Sequence, residues 1–328
     1  MKVLGLSFGR AMKNSELVLK AALMGAEEAG AEVSMIRMMN LDIQHCTGCG
    51  HCSRSREQGG DTVCCLKDDY EFVNQALLDA DAWIVAAPVY VLGPIGQLKN
   101  LADRFGPAHD KAALVREQQK RIAEGKTGDQ LVDPRSFKER YGGLISIGGA
   151  FTPHWVSMGL QGMELLMFPH QVRTVDKIDA YGMGMRVNPL FDAKLMERCK
   201  QLGRNVVSMH GKPFSETEKV WFGDDAGICP VCHNRDITIR YGTTRVECPL
   251  CGIEGTLVVE GDKVRVDFPE EQQKHSRLRY EGVNDHQKEF DIMRPNFKVV
   301  LDARGAELPG LLQPYKEYNR EIKPPKKQ

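Results

Sequence analysis

Short apolar runs alternate with longer amphipathic stretches over the first 209 residues. Lys2–Ser7 is an apolar run, and in the stretch Ser15–Ala29 that follows it, apolar residues recur at approximately helical spacing. The same alternation predicts four more strands and four more helices: strands at Glu32–Met38, Ala82–Ala87, Tyr141–Gly148 and Val172–Ile178, and helices at Asp69–Asp79, Gln97–Arg104, Ser157–Met167 and Phe191–Met209. Such βαβ units predict an α/β fold with a doubly wound, five-stranded parallel sheet.

The predicted strands end in loops that are rich in Gly, Pro, Ser or Asn. The three clearest are Ser7–Asn14, Pro88–Gly93 and Gly148–Phe151. Ligands of open parallel sheets bind at the carboxyl ends of the strands, and small residues let the backbone approach a ligand closely. The sequence therefore predicts a ligand site at this edge of the sheet.

The pattern changes after Met209. Four short strands are predicted in this part, at Ile237–Tyr241, Thr244–Glu247, Leu257–Glu260 and Val264–Phe268. We expect three parts: a ligand-binding domain at 1–212, a small β-rich domain at 213–268, and an extended, charged C-terminal segment at 269–328. Within the first part, the polar insertion Gly106–Arg140 is either helical decoration or a lid.

Composition and charge exclude some classes of function. The 328 residues carry 44 Lys and Arg against 44 Asp and Glu, which argues against a protein that coats nucleic acid or acidic membranes. The longest uncharged stretch, Ala82–Gly96, contains two prolines and is too short to span a bilayer. The N-terminus does not have the pattern of a signal peptide, so we expect a cytoplasmic protein without membrane partners.

Two pairs of cysteines near the C-terminus have the spacing of a metal site. Cys229 and Cys232 are followed, after fifteen residues, by Cys248 and Cys251. This is the spacing of a zinc ribbon, and a domain of this size has too small a core to fold without metal. Mononuclear iron in a rubredoxin-like site is the alternative.

Five more cysteines lie near the first crossover. The spacing of Cys46, Cys49 and Cys52 is typical of a [4Fe–4S] cluster, and either Cys64 or Cys65 would supply the fourth thiolate. Zinc at these thiolates, or a motif without any cluster, are the alternatives.

The order of these motifs resembles that of the flavodoxin-like NAD(P)H-dependent FMN reductases, in particular their iron–sulfur flavoprotein branch. The resemblance covers about residues 1–209, and the 11 residues between Cys52 and Cys64 are more than that branch has. It implies a flavodoxin-like fold with FMN. The phosphate would be held by Ser7, Arg10, Asn14 and Ser15, and the isoalloxazine would be lined by Pro88, Val89, Tyr90 and Gly93 on one side and by Gly148, Gly149 and Ala150 on the other. Taken alone, the first loop also fits an ordinary helix cap.

The resulting expectation is an FMN-dependent oxidoreductase that passes electrons from NADH or NADPH to an unknown small-molecule or protein acceptor. No side chain is predicted as a catalytic acid or base, because the cofactor carries the chemistry. The resemblance also implies a homo-oligomer, either a dimer or a tetramer. The competing class is a non-enzymatic electron carrier, or a redox-responsive protein that binds a partner through its ribbon.

Overall fold

The computed structural model describes residues 1–60, 62–184, 187–318 and 320–323. The chain forms two compact units, Met1–Val283 and Asn284–Gln328, which are described separately.

The first unit is built on a parallel sheet. Its strands are β1 (Lys2–Ser7), β2 (Glu32–Arg37), β3 (Ala82–Tyr90), the two-residue β4 (Gly93–Pro94), β5 (Tyr141–Ile147) and β6 (Arg173–Ala180). The order is β2-β1-β3-β5-β6, and β4 pairs antiparallel with β3. The predicted doubly wound, five-stranded parallel sheet is confirmed.

Helices cover both faces of this sheet. They are α1 (Asn14–Glu28), α2 (His51–Glu57), α3 (Tyr70–Asp79), α4 (Gly96–His109), α5 (Lys111–Ala123), α6 (Gly159–Met167) and α7 (Ala193–Val207). One apolar core joins the sheet to α1 and α7, and the other joins it to α3, α4 and α6. The insertion at Gly106–Arg140 is thus helical in its first half, which contains the end of α4 and all of α5.

A second, antiparallel sheet belongs to the same unit. Its strands are β7 (Thr238–Ile239), β8 (Arg245–Glu247), β9 (Glu254–Glu260) and β10 (Lys263–Asp267), in the order β10-β9-β8-β7. The small core beside these strands contains the four paired cysteines, together with apolar residues such as Ile253 and Phe268. The predicted β-rich ribbon is therefore present.

The description of 269–328 as extended is wrong. This part forms α8 (Glu270–Lys274), α9 (Tyr280–Arg304) and α10 (Leu308–Glu317), while residues 324–328 lie outside the described residues. The predicted boundaries at 212 and 268 stay predictions. No helix in the described part of the chain is both long enough and apolar enough to cross a membrane.

Candidate cofactor and metal sites

The loop after β1 leaves polar groups available for an anion. Ser7 is completely buried, and its hydroxyl oxygen has no hydrogen-bond partner among the described residues. Helix α1 begins seven residues later without a side-chain cap from Lys13. A Cβ on Gly9 would lie 2.5 Å from that of Ser15, so the loop folds tightly onto the first turn of the helix. A buried hydroxyl beside a helix N-terminus suits a phosphate group.

Asn14 connects this loop to the segment after β6. Its side-chain amide donates hydrogen bonds to the carbonyl oxygens of Met183, at 2.8 Å, and Val187, at 3.1 Å. Both amide hydrogens are therefore used within the protein. The predicted contact of Asn14 with the phosphate stays a prediction, whereas Arg10 is exposed and has its side chain at the surface of the loop.

An acidic residue in the first turn of α1 is neutralised by its neighbours. The buried carboxylate of Glu16 lies 2.8 Å from the Arg37 guanidinium and 2.9 Å from the Lys20 ammonium. The hydrogen bond from Arg37 is the largest cause that lowers the pKa of Glu16 from 4.5 to about 2. An ionised carboxylate in the first turn interacts favourably with the helix dipole. Because Arg37 and Lys20 neutralise its charge, Glu16 does not repel an anionic ligand at this end of the helix.

The turn between β3 and β4 has a strained backbone. Tyr90 and Gly93 pair across the hairpin, and the two residues between them, Val91 and Leu92, have φ angles of 50° and 71°. Positive φ at both central positions defines a type I′ turn, which ordinarily contains Asn or Gly. For a β-branched residue this conformation is an outlier that costs about 1–3 kcal/mol. Val91 is nevertheless 97% exposed, so no packing of its own side chain compensates.

The glycine-rich loop after β5 is held by the segment after β6. The Gly148 N–H donates to the Ala180 carbonyl, and the Met183 N–H donates to the Gly148 carbonyl, at 2.8 and 2.9 Å. A Cβ on Gly184 would lie 2.7 Å from the carbonyl oxygen of Gly149. The two segments are therefore in close contact, and the predicted flavin loops lie at one edge of the sheet.

Large apolar side chains are exposed on the loops at this edge. Tyr90 is the last residue of β3, and the others come from the segments after β3 and β5: Val91, Phe151, Trp155 and Met158. Exposed apolar groups of this kind mark ligand or interaction sites. Together with the unpaired Ser7 hydroxyl, they fit a ligand that has a phosphate at one end and a flat ring system at the other. FMN has this chemistry.

The N-terminal cysteines are only partly brought together. The sulfur atoms of Cys49 and Cys65 lie 3.7 Å apart. The Gly48 N–H donates to the sulfur of Cys46, at 3.5 Å, and a backbone hydrogen bond from His51 lowers the pKa of the Cys49 thiol. N–H···S bonds of this kind suit thiolates that bind a metal or a cluster.

Cys64 and Cys65, the two candidates for the fourth ligand, have different surroundings. Cys64 packs against the apolar core, next to the buried guanidinium of Arg104, whereas Cys65 is exposed beside Cys49. Arg104 also forms a buried ion pair with Asp68, which accepts a hydrogen bond from the Gln44 N–H and so holds the segment before Cys46. Among the described residues, the sulfur atoms of Cys49 and Cys65 are the one pair of these cysteines shown in contact, so the cluster stays a prediction.

The four cysteines of the ribbon form a closed site. The sulfur atoms of Cys229, Cys232, Cys248 and Cys251 all lie within 4.8 Å of one another, and all four residues are buried. The Cys251 N–H donates to the Cys248 sulfur, and hydrogen bonding from the Cys229 thiol lowers the pKa of Cys248 well below its ordinary value. Four buried thiolates at this spacing fit one tetrahedral metal ion, either zinc or iron.

Sequence reasoning missed the residue that joins this site to the parallel sheet. The side chain of Lys177 on β6 is only 8% exposed, and its ammonium group lies 2.6 Å from Glu164 and 2.8 Å from the carbonyl oxygen of Cys232. Nearby, the rings of Trp221 and His233 stack at 3.8 Å. The alternating pattern of β6 predicts a strand, but it does not show that a lysine is among its buried residues.

Comparison with known proteins supports a flavin site. The NADPH-dependent FMN reductase family model matches residues 1–160. Flavone synthase cfoJ of Aspergillus candidus is 32% identical over 297 residues, which are 89% of this chain and 89% of that protein. A solved structure of a flavone reductase superposes with a TM-score of 0.80 at 27% identity, over 99% of this chain and 100% of that one.

A further relative matches a shorter part of this chain. An iron-sulfur flavoprotein of Methanocaldococcus jannaschii is 36% identical over 149 residues, which are 45% of this chain and 62% of the relative. The chain thus spans less than two thirds of that relative's length. The similarity to the flavone synthase and the flavone reductase, by contrast, extends over nearly the whole chain.

Proposed function

Because the chain belongs to the NADPH-dependent FMN reductase family, we propose that this flavin-dependent oxidoreductase uses NADH or NADPH to reduce the carbon–carbon double bond of a flavone-type ketone. The observation that carries the proposal is the nearly full-length similarity to a flavone synthase and a flavone reductase. These names describe the formation and the reduction of one class of compound. They also favour an enzyme over a non-enzymatic electron carrier.

The overall reaction is balanced with two electrons and two protons. The nicotinamide gives up a hydride and becomes oxidised, solvent supplies the second proton, and two hydrogen atoms are added across the double bond conjugated to the ketone. FMN, when bound, supplies hydride transfer at its N5 atom.

The loop after β1 holds the phosphate in this proposal. The buried Ser7 hydroxyl donates a hydrogen bond to it, and backbone N–H groups at the start of α1 contribute their partial positive charge. The exposed Arg10 guanidinium would form a charge-assisted contact with the phosphate. Asn14 holds the segment after β6 in place while the ligand is bound.

The loops after β3 and β5 hold the ring system and the substrate. The backbone of Pro88–Tyr90 and that of Gly148–Ala150 border the two sides of the ring and exclude water from it. The rings of Tyr90, Phe151 and Trp155 are 56%, 85% and 64% exposed, so they are available to stack against a flat aromatic substrate.

The two cysteine sites have separate roles in the proposal. One zinc ion at the ribbon cysteines is structural, since zinc has no redox chemistry. Cys46, Cys49, Cys52 and Cys65 would hold a [4Fe–4S] cluster, which would supply single-electron transfer to or from the flavin site.

The test is turnover by FMN-loaded protein. With NADH or NADPH and a flavone under anaerobic conditions, we expect nicotinamide oxidation and a product that is two hydrogen atoms heavier by mass spectrometry. Oxidation of the nicotinamide by a quinone while the flavone stays unchanged would reject the substrate class.

A Ser7→Ala variant tests the cofactor site separately. Loss of one hydrogen bond to a charged group weakens FMN binding by about 1.5–3 kcal/mol, which is measured by fluorescence titration of apoprotein. The exposed Ser215→Ala variant, in a segment outside the predicted flavin loops, serves as the control. Apoprotein that binds no FMN would reject the flavin site, whatever the substrate.

A further inference from the structure

A cleft lies where the carboxyl end of β6 meets the start of α6 and the segment that leads into the ribbon. We call it the ring cleft; its walls include Leu160, Asp179, Tyr181, Trp221 and His233. Its volume is about 160 Å³. An apolar protein cavity of about 150 Å³ holds one benzene molecule, so the ring cleft has room for one aromatic ring.

Asp179 gives the ring cleft a hydrogen-bond acceptor. Its Oδ2 atom accepts a hydrogen bond from the Tyr181 hydroxyl at 3.2 Å, and its Oδ1 atom is buried without a hydrogen-bond partner among the described residues. An ionised carboxyl group accepts up to about four hydrogen bonds. Asp179 and Tyr181 therefore have the capacity to bind a hydroxyl group of a ligand.

Two cationic side chains line the ring cleft, and each is paired with a carboxylate. The ammonium group of Lys177 lies 2.6 Å from Glu164, and the guanidinium group of Arg235 lies 2.6 Å from Asp225. A cationic ligand would be repelled by Lys177 and Arg235, and an anionic one by the carboxyl group of Asp179. Burial also raises the pKa of Asp179, which weakens its attraction for a cation. These surroundings favour a neutral hydroxyl donor over an ion.

The ribbon side of the cleft supplies a flat aromatic wall. The rings of Trp221 and His233 stack with their centroids 3.8 Å apart and their planes at 14°. The indole N–H donates to the carbonyl oxygen of Asp225 at 2.8 Å, which fixes the orientation of the Trp221 ring. A planar apolar ring packs favourably against such a wall. The ring cleft therefore suits an aromatic ring that carries a hydroxyl group, as in a phenol.

The ring cleft adjoins the predicted flavin loops. Gly182, the residue after Tyr181, donates its N–H to the carbonyl oxygen of Ala150 at 2.7 Å. A Cβ on Gly182 would lie 3.0 Å from the ring of Phe151, which is exposed on the loop after β5. Tyr181 is thus one residue away from direct contact with that loop. A substrate at these loops therefore has the ring cleft beside it.

We propose that the ring cleft binds the separate phenyl ring of the flavone-type substrate, and that Tyr181 and Asp179 bind a hydroxyl group on this ring. The inference rests on the proposed function, because a flavone carries its phenyl ring directly on a carbon of the double bond that is reduced. The fused ring system would remain at the loops after β3 and β5. The ribbon then contributes Trp221 and His233 to substrate binding, and the preferred substrates are flavones with a hydroxylated phenyl ring.

The experiment compares two flavones that differ only in a para-hydroxyl group on the phenyl ring. Their KM values are measured with FMN-loaded protein and saturating nicotinamide under anaerobic conditions. We expect the wild-type protein to have a KM about tenfold lower for the hydroxylated flavone, which corresponds to one hydrogen bond of ordinary strength. Tyr181→Phe keeps the ring but lacks the hydroxyl, so the ratio of the two KM values should fall to about two or less.

Binding without turnover is measured by calorimetric titration of the same flavones into oxidised, FMN-loaded protein. The dissociation constants should show the same preference in the wild-type protein and its loss in Tyr181→Phe. Tyr241→Phe removes the hydroxyl of a fully exposed tyrosine in the ribbon and is the matched control, which should keep the wild-type ratio. A merely structural role of Tyr181 would raise the values for both flavones alike and leave their ratio unchanged.

The outcomes separate this inference from the proposed function. Reduction of both flavones with equal KM values by the wild-type protein, or a ratio that Tyr181→Phe does not change, would overturn the role of the ring cleft while the proposed function stands. A flavone that binds with the expected preference but is not reduced would reject the reaction and support the ring cleft. Absence of flavone binding would overturn both.

Discussion

The ammonium group of Lys177 donates a hydrogen bond to the backbone carbonyl of Cys232, 2.8 Å away. Lys177 lies on the parallel sheet, and Cys232 is a predicted ligand of the ribbon metal. The same ammonium forms a buried ion pair with Glu164, which also accepts a hydrogen bond from Thr174. The sheet that carries the predicted flavin loops is thus hydrogen-bonded directly to a predicted ligand of the ribbon metal.

Removing this lysine is expected to destabilise the protein strongly. Lys177→Met leaves the carboxylate of Glu164 buried without its partner, which costs about 3–5 kcal/mol in the free energy of unfolding. Urea denaturation checks the value. The double variant Lys177→Met with Glu164→Gln should recover part of the loss, because no unpaired charge then remains. A single variant as stable as the wild-type protein would contradict the buried pair.

The strained turn between β3 and β4 predicts a substitution that stabilises the protein. Val91→Gly relieves a positive φ angle and should raise the free energy of unfolding by about 1 kcal/mol. In the proposed function the same change removes an exposed apolar group beside Tyr90. We therefore expect a higher KM for the flavone and an unchanged rate with a small quinone. Val259→Gly, at an exposed strand position without positive φ, is the control and should not stabilise.

The two adjacent cysteines give opposite predictions for the iron–sulfur cluster. Cys65→Ser should lower the acid-labile sulfide of anaerobically purified protein and its brown colour, because Cys65 lies beside Cys49. Cys64→Ser should leave both unchanged, since Cys64 packs against the core. The reverse result would identify Cys64 as the ligand, and a yellow wild-type protein without labile sulfide would exclude the cluster.

The ribbon cysteines predict one zinc ion per chain, measured by elemental analysis. Cys248→Ser should abolish zinc binding and unfold the ribbon, because the free energy of metal binding contributes directly to the folding of this small domain, while FMN remains bound.

Limited proteolysis of this variant should cut first within 229–251. The preceding segment is held to the sheet, since the Tyr141 hydroxyl donates to the Lys212 carbonyl and Arg173 donates to the Phe214 carbonyl. A rubredoxin-like visible spectrum would identify iron instead, and Cys199→Ala is the control that keeps the metal.

Two buried histidines predict how stability depends on pH. The rings of His109 and His170 stack at 4.0 Å, and burial lowers the pKa of His109 from 6.5 to about 3 and that of His170 well below 6.5. The unfolded chain binds protons at these groups below pH 6.5, whereas the folded protein does not. Stability is therefore complete above pH 6.5 and falls as the pH decreases towards 3, by about 1.4 kcal/mol per pH unit for each histidine.

Variants separate these histidines from other groups that titrate in the same range. His109→Leu should make the slope of unfolding free energy against pH shallower between pH 6 and 4. The exposed His154→Leu variant is the comparison, and equal slopes in both would contradict the prediction.

The regular part of the fold follows from periodicity alone. The first strand was predicted at its observed bounds, Lys2–Ser7, because a buried parallel strand is a short continuous apolar run. The strand predicted at Ala82–Ala87 instead continues to Tyr90. Pro88 suggests an end because it lacks an N–H group, but its carbonyl oxygen accepts from the Ile95 N–H, and the chain stays extended into the hairpin.

Other features of the fold depend on tertiary contacts, which the pattern of apolar and polar residues does not show. The positive φ angles of Val91 and Leu92 contradict their residue types, so only the structure shows the turn. The C-terminal segment 269–328 differs from this turn, because the helical spacing of its apolar residues from Phe290 to Leu301 is visible in the sequence. The charge of the segment and its terminal Pro-Pro-Lys-Lys obscured that periodicity, so a helix was predicted as extended chain.

The segment that leads into the ribbon also covers part of the outer edge of the parallel sheet. β6 is an outermost strand, and the Phe222 N–H donates to the carbonyl oxygen of Val175 on it, at 2.9 Å. An uncovered outer strand offers free backbone groups to other chains and so promotes aggregation. The chain around Phe222 occupies one of these groups, and Lys177 on the same strand binds the carbonyl oxygen of Cys232 in the ribbon. A metal ion at the ribbon cysteines would therefore protect the outer edge of the sheet as well as the ribbon fold, and we expect metal-depleted protein to fail first by intermolecular strand pairing along β6.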